Sequence, residues 1–201
     1  KRERTNIRRS FDSNRQIHRY AGLNISEISM LPSSVLKPRG YTRLIDTAIE
    51  TISEFRDICK ETSEKQNKQD KTSVTKGVFL IITDGEDNQS KKNSDDLKKE
   101  IESLTTEGFQ CYFLGANQDA IYTGNRYGFN EGQSLTYAGD AALEAMRSAS
   151  ENITHGLSKA ADADGTYRQP SFTKLQREIS GGKQTTTRTN TETKTQTTTQ
   201  T

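Results

Sequence analysis

Two continuous apolar runs, Gly77-Val78-Phe79-Leu80-Ile81-Ile82-Thr83 and Phe109-Gln110-Cys111-Tyr112-Phe113-Leu114, constrain the fold of this 201-residue chain most. Such runs suit strands buried on both faces. The stretch between them has helical spacing: Ser94 precedes Asp95 and Asp96, Leu97, Ile101 and Leu104 follow, and Gly108 supplies a stop. Upstream, Leu44, Ile45, Ala48, Ile49, Ile52 and Phe55 trace an amphipathic helix from about Tyr41 to Lys60, followed by a polar loop from Glu61 to Ser73. Downstream, Asn117 reads as the N-cap of a helix through Ile121, Ser134 to Tyr137 as a weaker strand, and about Asp140 to Ala161 as an alanine-rich helix. This order predicts an α/β fold, a doubly wound, mostly parallel sheet with helices on both faces. Ligands of such sheets sit outside the carboxyl ends of the strands. The loops after Thr83 and after Leu114 lie at that edge.

The N-terminal part reads differently. Thr5 to Phe11 and Gln16 to Tyr20 are β-like runs joined by Asp12-Ser13-Asn14, a predicted hairpin. Asn24 to Met30 is a short helix or turn, and Pro32 and Pro38 bracket a loop that ends at Arg39-Gly40. At the other end, residues 180–201 contain no apolar side chain and are predicted to be a disordered Thr/Gln-rich tail. The expected organisation is one domain over 1–179, with a core at about 4–160 and an extension to 179.

Composition narrows the function classes. A formal net charge of +2 with 28% charged residues gives no global field for nucleic acid or anionic lipid, and no apolar run approaches a membrane span. Lys1-Arg2-Glu3-Arg4 with Arg8 and Arg9 is better read as solvated edge charge than as a phosphate site. Cys59 and Cys111 have no CxxC neighbour and read as small buried thiols, a bond between them being left open. Without a signal peptide a cytoplasmic location is expected, or a virion-associated one for a phage protein. His18 and His155 are isolated in sequence, and Glu86 and Asp87 read as solvated acids of a turn. With no P-loop, GxGxxG or Ser-His-Asp order, a binding role is expected rather than an enzyme.

Three segments carry a more specific signal. Leu36-Lys37-Pro38-Arg39-Gly40-Tyr41-Thr42-Arg43-Leu44-Ile45-Asp46-Thr47 places a Gly-x-Thr loop before a helix, and Phe79-Leu80-Ile81-Ile82-Thr83-Asp84-Gly85-Glu86-Asp87-Asn88 ends an apolar strand in Thr-Asp-Gly. Together they resemble von Willebrand factor type A domains, in which these elements contribute to a metal-ion-dependent adhesion site. Phe113 to Ile121 resembles the following strand and loop of a bacterial and phage branch of that family. The resemblance covers roughly residues 4–160 and implies a Rossmann-like fold that binds a protein partner's acidic residue through Mg²⁺. Thr42 would then be a direct ligand and Asp84 the holder of a coordinated water, a division that suits a hard, octahedral, water-retaining ion. Taken singly, Thr42 reads better as an N-cap and Asp84-Gly85 as an ordinary turn; together, in this order and spacing, they favour the metal site.

One family element is absent. The family's first strand ends in Asp-x-Ser-x-Ser, which supplies further ligands, and no such motif occurs in these residues. An upstream segment outside these residues, a first strand supplied by a separate chain, or a member that has lost its metal would each account for this. The start at Lys1 favours the first two, and weak or absent Mg²⁺ affinity is expected of this chain alone. Two other functions stay open: a metal-independent structural or assembly protein of a bacterium or phage, and a phosphoryl-transfer enzyme with Asp84 as nucleophile or metal ligand.

Overall fold

The apolar periodicities become a parallel sheet between two helical layers. The computed structural model describes residues 5–6, 23–24, 41–67, 77–158 and 169–181. Its elements are β1 (Thr5–Asn6), β2 (Leu23–Asn24), α1 (Leu44–Asn67), β3 (Val78–Thr83), α2 (Ser94–Thr106), β4 (Gln110–Ala116), α3 (Ala120–Arg126), β5 (Ser134–Tyr137), α4 (Ala142–Ser158) and α5 (Lys174–Ile179). The main sheet has the order β3-β4-β5, with both pairs parallel. β1 and β2 form a separate antiparallel pair, Thr5 opposite Asn24 and Asn6 opposite Leu23. The remainder of the expected hairpin, including Gln16 to Tyr20, lies outside the described residues.

Alternate residues of β4 divide the core. Cys111 and Phe113 join Phe79 and Ile81 of β3 against Leu44, Ile45, Ala48, Ile49 and Ile52 of α1 and Leu97, Ile101 and Leu104 of α2. On the opposite face Tyr112, Leu114 and Ala116 pack with Leu135 and Tyr137 of β5, Ala145 and Ala149 of α4, and Phe172. The fold is therefore α/β with a parallel sheet covered on both faces. No described helix is long and apolar enough to cross a membrane.

Several expectations change. α1 runs through Asn67, not Lys60, because residues such as Glu61 and Glu64 are good helix formers that need no apolar contact to extend it. β4 is buried on both faces, but β3 is not: Ile82 is 42% exposed while its neighbour Leu114 is 0% exposed. The difference comes from position, since among the described residues β3 pairs with β4 alone and is an edge strand. Asn93, rather than Ser94, caps α2 in a reciprocal capping box with Asp96. Asn117 does not cap α3 either; it sits at φ 53° in the left-handed region, and Asp119 accepts the Tyr122 amide as the cap.

The C-terminal segment closes the β5 side. The Gln169 side chain pairs with the Cys111 backbone, accepting from its N–H at 3.2 Å and donating to its carbonyl at 2.8 Å. It stands in for a strand where β5 has not yet begun, since β5 first pairs at Phe113. Arg177 donates to the Ser134 and Glu131 carbonyls, each at 2.8 Å, and Gly181 bridges Tyr137. Ser180, placed in the tail by composition, is fully buried, so the fold runs through Gly181. Residues 182–201 lie outside the described residues.

Candidate functional site

The start of α1 is built by a loop that lies far from it in sequence. The α1 amides of Ile45 and Asp46 cannot bond within the helix and need outside acceptors. Asp87 Oδ1 accepts from Ile45 N at 3.2 Å, and Ser90 Oγ accepts from Asp46 N at 3.0 Å. Ser90 Oγ donates in turn to Asp87. Just before the helix, Asn88 clamps Thr42 from both sides: its Oδ1 accepts from Thr42 N at 2.8 Å and its own N–H donates to Thr42 O at 3.0 Å. Asp87 and Ser90, from the loop after β3, thus cap α1, and Thr42 does not. Asp87 is a structural acceptor rather than a solvated turn acid.

Asp46 locks the same junction from the helix side. Its carboxylate accepts from the Lys91 and Lys92 amides, both at 3.0 Å, and from Arg43 Nη2 at 2.6 Å. Burial opposes ionisation, but the Arg43 hydrogen bond and the Lys92 and Lys91 amides prevail and bring the pKa down to about 2. Three donors thus hold this carboxylate, two on Oδ2 and one on Oδ1, and fix it as a structural group of the junction.

The clamp brings the two sequence-predicted residues to one place. A methyl group added at Gly85 would lie 3.6 Å from Thr42 Oγ1, so the Thr42 hydroxyl stands beside the Asp84-Gly85 turn at the carboxyl end of β3. That hydroxyl has no hydrogen-bond partner among the described residues. The turn is tightened by Thr83, whose Oγ1 donates to Gly85 O at 2.8 Å and accepts from Gly85 N at 3.2 Å. Asp84 is exposed. Burial first, and then the Asp84 carboxylate, raise the Tyr137 phenol above its ordinary pKa, which places Asp84 within electrostatic reach of β5. Burial, followed by Asp87, does the same to Tyr127.

A hydroxyl and an exposed carboxylate are hard oxygen donors and suit Mg²⁺, which keeps several waters and needs few protein ligands. They make only part of a shell: among the described residues no three His, Cys, Asp or Glu side chains converge to hold a metal ion. Cys59 and Cys111 are both free thiols, and burial pushes them up to about 11 and about 12, so neither offers a thiolate.

Sequence reasoning missed Asp46, Asn88 and Ser90, which act through backbone amides and carry no motif of their own. Comparisons with protein-family models, with curated proteins and with solved structures find no match for this chain.

Proposed function

We propose that the chain forms the greater part of a von Willebrand factor type A domain, a non-catalytic module that binds an acidic residue of a protein partner through Mg²⁺. The observation that carries this reading is the juxtaposition of the unpartnered Thr42 hydroxyl with the Asp84-Gly85 turn, at the sheet edge where ligands of parallel sheets bind. Thr42 would coordinate the ion directly and Asp84 would hold one of its waters. The partner's carboxylate would enter as a further ligand. Among the described residues no strand pairs with the outer edge of β3, and this and the exposure of Ile82 favour a neighbouring strand from another segment or a separate chain, which would bring the remaining ligands.

Mn²⁺ is a suitable probe because it prefers the same oxygen ligands and broadens nearby NMR signals even when it binds weakly. Two ligands suffice for weak, localised binding, so at high concentration in the chain it should broaden the backbone signals of Thr42, Asp84 and Gly85, and Thr42→Ala or Asp84→Ala should weaken the effect at least about tenfold. Uniform, non-local broadening would reject the site. Binding of an acidic partner should be lost on chelation of the metal.

The same open edge favours a second reading, a metal-independent structural or assembly protein of a bacterium or phage that uses the fold as a scaffold. Partner binding undiminished by chelator, and by Thr42→Ala, would select it.

A further inference from the structure

We propose that the Gln118 carboxamide is a further binding group of this site, which takes up a water on the bound cation and is held unpaired until that ligand arrives. The proposal rests on the cation-binding reading above. Both Nε2 and Oε1 of Gln118 are shielded from solvent and have no hydrogen-bond partner among the described residues. A carboxamide offers two donors and a carbonyl acceptor, and exclusion from water without partners is costly enough that such cases point to a water, an ion or a functional role.

Its position is specific. The side chain lies over Gly115, where an added methyl would come within 2.8 Å of Gln118 Cγ and 3.0 Å of its Cδ. Glycine at 115 is what gives the amide room. Gly115 pairs with Thr83 on one side and with Thr136 on the other, so Gln118 sits one strand away from the residue that precedes Asp84. Gly115 alternates with Cys111 and Phe113, which face α1, and Thr83 alternates with Phe79 and Ile81, which face it too. Gln118 therefore lies on the same face of the sheet as the start of α1, where Thr42 is clamped.

The chemistry is complementary. Once the side chain turns out of its shielded place over Gly115, Oε1 can accept from a cation-bound water, a stronger donor than free water, and Nε2 can donate to an incoming carboxylate. Neither step needs a change in covalent structure. The neighbouring polar groups on this row are already engaged: Thr83 Oγ1 by Gly85 and Thr136 Oγ1 by the Ala120 amide at 3.0 Å.

The test uses the whole chain and the near-isosteric Gln118→Met. In wild type, Mn²⁺ should broaden the Gln118 side-chain NH₂ signals together with the backbone signals of Thr42 and Gly85. In chelator, Gln118→Met should melt about 2–6 °C higher than wild type, because an orphaned polar group has been replaced by an apolar one. The same variant should bind Mn²⁺ at least about tenfold more weakly. A purely structural role would reverse the melting shift and leave Mn²⁺ binding unchanged. If Thr42 and Gly85 broaden and Gln118 does not, the inference falls and the cation site stands. If none of the three broadens, both fall.

Discussion

Asp46 shows how one carboxylate can decide the geometry of a site it never enters. It gathers two backbone amides and a guanidinium, and each would be left without its partner if the side chain were removed. Asp46→Ala should cost about 2–4 kcal/mol in urea unfolding. The pH dependence follows from the direction of the shift. The folded pKa of about 2 lies below the ordinary 3.8, so the stabilisation is complete above the ordinary value and is lost as pH falls through about 2. Over that window the wild type should lose about 2 kcal/mol from this group, and Asp46→Asn should lose that part of the acid dependence. An unchanged acid profile in the variant would show that other carboxylates govern it. Thr42 and Asp84 were singled out as candidates by the sequence because a hydroxyl and an acid stand in a recognisable order at element ends. Asp46 was not. Its main partners are main-chain amides more than 40 residues away, and a backbone donor looks the same at every position.

The elements themselves were legible wherever burial imposes a period. The stripe from Leu44 to Phe55, the Leu97-Ile101-Leu104 face of α2 and the apolar run of β4 all reach the core. Where no burial is involved the reading failed: the last turns of α1 are polar, and the bend at Asn117 depends on φ rather than on side-chain type. Close approach between elements is likewise hidden in sequence. A methyl group at Gly124 of α3 would lie 2.3 Å from Ser134 Oγ, and Ser134 is fully buried at the start of β5, so it cannot swing away. Gly124→Ala should therefore destabilise the chain by roughly 1–3 kcal/mol in denaturant titration. Adding Ser134→Gly should recover part of that loss, since the two residues are in contact and their effects should not be additive. Simple additivity would mean that α3 has shifted as a body to make room.

For the whole molecule, the two edges of the sheet differ. On the β5 side Gln169, Arg177 and Gly181 close the edge, whereas among the described residues β3 has no second strand beside it. The parallel order of β3, β4 and β5 could be read from alternating elements. The closure could not, because a glutamine imitating a strand leaves no periodic trace. Gln169→Leu should make the Cys111 amide exchange its hydrogen at least about tenfold faster, while amides paired within the β3-β4 ladder change little. Equal acceleration throughout the sheet would indicate global destabilisation instead. The Gln169 contact also orders events during synthesis. Its two ends are 58 residues apart, so a ribosome that has just released β4 has not yet made the group that satisfies Cys111. Until residues 169–181 emerge, the nascent chain carries the start of β4 with unmet backbone groups facing away from β3. That interval is when a chaperone would have the most to shield.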